Sequence, residues 1–233
     1  HKQIPFIHLG VKGFSFSWDI CRQIYSVGFP AIIMQSVASV MTLGMNMILL
    51  PYSELAISVY SVYAKLQQFI FMPVLGMNSA LIAIVGYNFG AQKKQRINQA
   101  ARYSLIAAVL IMALGTVLFQ LAPKWLLGMF NASEEMLAIG IPALKTISLS
   151  FVFAGVSIVL CSIFQALDDG MLSLWVSLGR QLILVLPLAW LLSQWGELNV
   201  LWLAFVISEG LCMLFSIGAY RRVKLRQIDV LAD

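Results

Sequence analysis

Charge is scarce in this chain of 233 residues: Asp, Glu, Lys and Arg make up 11% of it, against about 25% in ordinary soluble proteins. With 61% hydrophobic residues, too little polar surface remains to clothe a soluble domain of this size. Histidine is nearly absent, and both copies, His1 and His8, precede the first long apolar run. An intramembrane enzyme needs clustered His, Cys, Asp or Glu to activate water or hold a metal, so catalysis is a remote reading and no metal site is expected. The three cysteines, Cys21, Cys161 and Cys212, lack metal-ligand spacing and make no disulfide framework. A nucleotide-binding P-loop is also missing, and no cofactor is implied. No stretch alternates with period two, which argues against barrel strands. The chain starts His1-Lys2-Gln3 without an initiator Met or a signal-peptide pattern, as a loop within a longer polypeptide would.

What charge there is falls in a pattern. Lys2, Lys12 and Arg22 precede the first apolar run; Lys93, Lys94, Arg96 and Arg102 separate the second from the third; Arg221, Arg222, Lys224 and Arg226 follow the last. The alternate gaps carry Glu54, then Lys124 with Glu134 and Glu135, then Glu197. Basic loops of a polytopic membrane protein stay on the cytoplasmic side, so both ends are expected there. The formal net charge of +5 thus belongs beside anionic headgroups of the bilayer and implies no nucleic acid.

The expected fold is all-α, with six transmembrane helices over residues 24–50, 55–89, 100–121, 136–165, 171–192 and 198–220. Pro30 is expected to bend the first, and Pro73 with Gly76 to kink the second. Asn131 to Glu134 offers capping residues for the fourth. Trp18 and Trp175 fall near inner ends, and Trp125, Trp190, Trp195 and Trp202 near outer ends, as an aromatic belt requires.

The segment Lys65 to Gln92 ends Gly86-Tyr87-Asn88-Phe89-Gly90-Ala91, where small residues suit a tight turn and a close helix approach. It resembles the MATE family, the multidrug and toxic compound extrusion transporters. Gly28-Phe29-Pro30, Ile163 to Leu167, Arg180-Gln181 with Pro187, and Phe205 to Glu209 extend the resemblance to residues 19–222. It is to the C-terminal six-helix lobe of a twelve-helix transporter. On that reading residues 1–22 are a cytoplasmic connector from an N-terminal lobe, 23–220 the transmembrane lobe and 221–233 a basic cytoplasmic tail. The resemblance implies alternating access around a cavity between two lobes, export of amphipathic organic cations, and coupling to H⁺ or Na⁺ in a bacterial inner membrane. A lipid-linked saccharide flippase of the same superfamily is the alternative, since Lys65, Lys145 and Arg180 lie within spans. Some family members hold a cation between a Glu of the first helix and an Asp of the fourth. Here those helices carry no carboxylate, so the coupling ion is expected in the other lobe.

Polar residues inside spans are costly and face bundle interiors or water. Gln35, Ser39, Thr42 and Asn46 share one face of the first helix by helical spacing, and Ser61, Lys65, Gln68 and Met72 one face of the second. Phe71, Asn78, Ser150 and Ser157 complete the candidate substrate cavity. Helix–helix packing is the alternative use of the same residues. Glu209 is the only acid well inside a span, about 17 Å from its cytoplasmic end, and Arg180 lies about 14 Å deep on the neighbouring helix at 1.5 Å per residue. Their pairing is the simplest way to hold both charges in a bilayer, with Lys65 as the rival partner.

Overall fold

A computed structural model describes residues 17–231, and among them every regular element is helical. Residues 1–16, the greater part of the expected connector 1–22, and the last two residues lie outside the described residues. In chain order the helices are α1 (Trp18–Leu49), α2 (Glu54–Gly90), α3 (Lys94–Leu121), the short α4 (Pro123–Gly128), α5 (Glu134–Ser148), α6 (Phe151–Ala166), α7 (Gly170–Leu178), α8 (Val185–Ser193), the short α9 (Leu198–Leu201) and α10 (Leu203–Val223). Helix α2, helix α3, the rod Gly170–Ser193 and the rod Leu198–Ile228 are each long and apolar enough to cross a bilayer. The pair α5 and α6 makes a fifth crossing bent by 46°. Helix α1 is 32 residues long, and its described apolar part is Ser36–Leu49.

Helices α2, α3, α6 and α10 form the central bundle, with α6 touching the other three. Helix α1 leans mainly on α7 and α8, and only lightly on α2. Small residues let the central helices approach: a Cβ on Gly155 would stand 2.8 Å from Met112 Cγ, and one on Gly115 would clash with Ile70 Cγ2. Gly155→Leu is therefore expected to cost about 1–3 kcal/mol by overpacking the α3–α6 contact. An unchanged unfolding midpoint in detergent would refute that contact.

The ends of the helices follow local chemistry. Ser53 accepts from Ala56 N–H at 3.1 Å to cap α2, and Ser133 accepts from Met136 N–H at 3.2 Å to cap α5. Helix α2 closes with Gln92 at φ 60° and a Lys93 N–H bond to the Asn88 carbonyl at 2.9 Å. The left-handed position is thus Gln92, while a Cβ on Gly90 would meet nothing within 4 Å. Gly86 does sit against α6, 3.6 Å from the Ala166 carbonyl by its ideal Cβ, and Asn88 Nδ2 donates to the Ile84 carbonyl at 2.8 Å. Tyr87 is exposed, and Ala91 forms the cap residue of α2.

The kink expected at Pro73 and Gly76 does not divide the second span. Helix α2 runs uninterrupted from Glu54 to Gly90 through Pro73, and Gly76 has open space around it. The fourth span instead breaks at Leu149–Ser150. Two serines compete with the ladder there: Ser148 Oγ donates to the Lys145 carbonyl at 2.9 Å, and Ser150 Oγ to the Ile147 carbonyl at 2.7 Å. Helix α3 then supplies donors to the bend. Thr116 Oγ1 bonds the Ser148 carbonyl at 2.9 Å and Gln120 Nε2 the Lys145 carbonyl at 2.7 Å.

One further expectation differs from the fold. Trp202 is fully buried among the core residues rather than in a belt, whereas Trp18, Trp125, Trp175, Trp190 and Trp195 are exposed. Beyond Tyr220 the helix goes on into a π-helical turn, Lys224–Ile228, and Ile228 is fully buried.

Candidate functional site

A cavity of about 360 Å³ opens where α1, α2, the α5–α6 break, the α7–α8 rod and α10 converge. Helix α2 lends it the largest wall, Tyr60, Tyr63, Ala64, Gln67, Gln68 and Phe71. Tyr60, Tyr63, Gln67 and Phe71 recur at helical spacing and so share a face. Their rings continue into a cluster: Tyr63 meets Phe205 edge-on at 5.8 Å between centroids, and Phe71 meets Phe151 edge-on at 5.5 Å.

Opposite stands a π-helical turn, Gly179–Ile183, closed by a Leu184 N–H bond to the Gly179 carbonyl at 3.0 Å. Pro187, four residues beyond Ile183, has no N–H to give the Ile183 carbonyl and its ring crowds that oxygen. Register shifts of this kind are frequent at functional sites. The turn carries Arg180 and Gln181 into the cavity wall. Arg180 Nη1 lies 3.4 Å from Glu209 Oε1, and both side chains are largely buried. Glu209, 8% exposed, leaves its second oxygen, Oε2, buried without a hydrogen-bond partner, and the hydroxyl of Tyr63, 1% exposed, is in the same position. Both residues line the cavity, but these two polar atoms are sealed within its wall without partners.

The residues named from the sequence divide between this cavity and other places. Thr42, Gln68, Phe71, Ser150, Arg180 and Glu209 line it. Thr42 donates to the Ala38 carbonyl at 2.9 Å. Ser39 lies exposed elsewhere on α1, and Asn46 is away from the cavity with its Oδ1 buried and unpartnered. The side chains of Gln35 and Pro30 lie outside the described residues. Lys65 is exposed and its Nζ sits 5.9 Å above the Phe130 ring, so it neither lines the cavity nor pairs with Glu209. Met72 faces outward, Asn78 is buried in α2 beyond the cavity, and Ser157 donates to the Phe153 carbonyl at 3.1 Å inside α6. The polar stripe Ser61, Lys65, Gln68 and Met72 mostly misses the cavity because α2 presents the neighbouring face. Tyr60, Tyr63, Gln67 and Gln181 line the cavity beside the expected residues. The i, i+3, i+7 spacing of Tyr60, Tyr63 and Gln67, polar tips in an apolar run, is the signal that points to them.

Comparison with known proteins follows the same lines. The MatE family model matches residues 30–191. The chain is similar over 196 residues to the multidrug export protein MepA of Staphylococcus saprophyticus, at 24% identity, covering 84% of this chain and 43% of that protein. Against the MepA of Staphylococcus aureus it is 21% identical over 213 residues, 91% of this chain and 47% of that one. It shares its fold with an outward-facing multidrug resistance MATE family transporter of the MOP superfamily, with a TM-score of 0.85 and 20% identity over 98% of this chain and 51% of that one. A MOP superfamily transporter from Pyrococcus furiosus gives a TM-score of 0.84 at 21% identity, over 96% and 51% of the two chains. The chain thus spans about half the length of the relatives it matches. Its apolar helices make it a multi-pass membrane protein with the architecture of one MATE lobe, and the chain belongs to the MatE family.

Proposed function

We propose that this lobe, joined to an N-terminal lobe, forms a cation-coupled multidrug efflux antiporter that exports amphipathic organic cations by alternating access. The observation that carries the reading is the lining of the cavity: aromatic faces from Tyr60, Tyr63, Phe71 and Phe205 surround Gln67, Gln68 and an acidic Glu209. Such a wall suits a flat, apolar cation, through ring contacts and a nearby anion. Of the three cations within spans, only Arg180 lines the cavity, and Glu209 offsets its charge. That supports an organic cation over a saccharide phosphate as cargo. The relatives named as multidrug export proteins point the same way. The first and fourth spans carry no carboxylate, so the coupling H⁺ or Na⁺ is assigned to the other lobe. The distribution of Lys and Arg supports placing both ends of the described chain on the cytoplasmic side, and the bacterial relatives support a bacterial inner membrane.

Filling the cavity tests the reading. In efflux-deficient cells expressing the transporter, Gln67→Trp is expected to slow ethidium efflux by about tenfold or more, the effect of a clash worth about 1.4 kcal/mol. Membrane abundance should stay unchanged. Full efflux with the cavity filled would sink the assignment, and loss of efflux on dissipating only the H⁺ or only the Na⁺ gradient would name the ion.

A further inference from the structure

A second cavity, about 390 Å³, lies at the basic end of the bundle, between the α6–α7 turn, the end of α10 and the π-helical turn that follows it. Arg222 and Arg226 both line it, and neither forms an ion pair among the described residues. Asp169 lines it too, equally unpaired, so the cleft keeps one net positive charge. Gln227 Oε1 lies in the same wall, buried and without a hydrogen-bond partner.

The cleft is held open by construction. Lys94 on α3 reaches the tail twice, 3.5 Å from Asp229 Oδ1 and 3.4 Å from its carbonyl. Buried Val223 and Ile228 anchor the turn at both ends, which fixes Arg226 and Gln227 beside Arg222. At Gly218 a Cβ would meet nothing within 4 Å, so the floor is open space. Below it, Leu211, Phe215, Gly218 and Arg222 follow helical spacing along one face of α10. Leu211 and Phe215 are exposed, so an apolar track leads from mid-membrane straight up to the arginines.

We propose that this cleft binds one anionic phospholipid. Its phosphodiester sits between Arg222 and Arg226, and its acyl chains follow Phe215 and Leu211. Two arginine forks meet the phosphate oxygens. The hydrogen-bond donors of a hydroxyl-bearing headgroup reach the Asp169 carboxylate, which no other group engages among the described residues. One net positive charge matches the single negative charge of a phosphatidylglycerol, whereas a zwitterionic headgroup leaves it uncompensated. Position decides the source of the phosphate. The cationic rim stands at the membrane boundary directly above an exposed apolar face, and only a lipid fills both.

Native mass spectrometry of the purified, delipidated protein in detergent tests this with phosphatidylglycerol, phosphatidylethanolamine and inorganic phosphate as probes. Phosphatidylglycerol is expected to bind more tightly than phosphatidylethanolamine, with no competition from inorganic phosphate. Replacing both arginines, R222Q with R226Q, is expected to weaken phosphatidylglycerol by about 25-fold, since each basic side chain near a membrane contributes about 1 kcal/mol and 1.4 kcal/mol is tenfold. Gly218→Leu alters no charge and grows into open space, so it should fold normally and still abolish the tight adduct. Equal affinity for the two lipids, effective competition by inorganic phosphate, or undiminished phosphatidylglycerol binding in either variant would overturn the proposal.

Discussion

Replacing Arg180 by Gln is expected to lower stability by about 3–5 kcal/mol, the cost of leaving a buried charge without its partner. Glu209 is 8% exposed, and its Oε1 has Arg180 3.4 Å away. Its Oε2 has no partner at all, so no other group stands ready to take up the charge. The double replacement, Arg180→Gln with Glu209→Gln, removes both charges and is expected to recover most of the loss, because neutral amides of similar shape carry a far smaller desolvation cost. Unfolding in detergent measures this, with both single variants and the double variant as a cycle. A single-variant loss below about 1 kcal/mol would mean that the pair is solvated and worth no more than a surface ion pair. The same cycle separates two roles for the pair. If Glu209→Gln keeps the fold but loses ion-coupled efflux, the carboxylate takes part in transport; if efflux follows stability through the cycle, the pair fixes the register of α10 against the π-helical turn.

Much of this fold can be counted from the chain. The helix limits follow apolar length and caps, since Ser53 and Ser133 stand before the helices they cap. Depth is countable as well, because rise per residue is constant, and equal depth on adjacent rods is what identifies Arg180 and Glu209 as a pair. Facing is harder. An apolar stripe shows which side of a soluble helix is buried, but in a bilayer both lipid and neighbouring helices are apolar. Polar residues become the only guide, and they also serve packing. Helix α2 carries two polar stripes side by side, and the one bearing Lys65 reaches the cavity only through Gln68 while the one bearing Tyr60, Tyr63 and Gln67 lines it. Helix breaks escape for a related reason. Proline is a visible breaker, yet α2 continues through Pro73, while the α5–α6 bend arises at serines whose hydroxyls redirect carbonyls toward side chains of another helix. That depends on the neighbour, which local sequence does not contain. The π-helical turn at Arg180 shows in the sequence only as Pro187, one residue whose effect is spread over the preceding turns.

The replacement Thr116→Val with Gln120→Leu is expected to destabilise the bent fourth span by about 1–3 kcal/mol, mostly at the Ser148 carbonyl, since the Lys145 carbonyl keeps the Ser148 hydroxyl as a donor. A break in mid-membrane frees backbone oxygens where no water reaches them, and it persists only if neighbouring side chains satisfy them. Thr116 and Gln120 stand one turn apart on α3 and face the break, giving the Ser148 carbonyl a hydroxyl at 2.9 Å and the Lys145 carbonyl an amide at 2.7 Å. Gln120 also reaches Ser148 Oγ at 3.2 Å, so its loss loosens the serine that helps to bend the chain. Val and Leu keep the volumes close to those they replace, so cavity formation contributes little and the change reads hydrogen bonding. Ser150, the residue after the bend, lines the central cavity, which ties the break to the proposed site. The double variant should therefore lose stability in detergent and bind an organic cation more weakly, with Thr116→Ser close to unchanged in both because it keeps the hydroxyl. Unfolding that matches the parent protein would mean that the bend satisfies its own carbonyls and that α3 only packs against it.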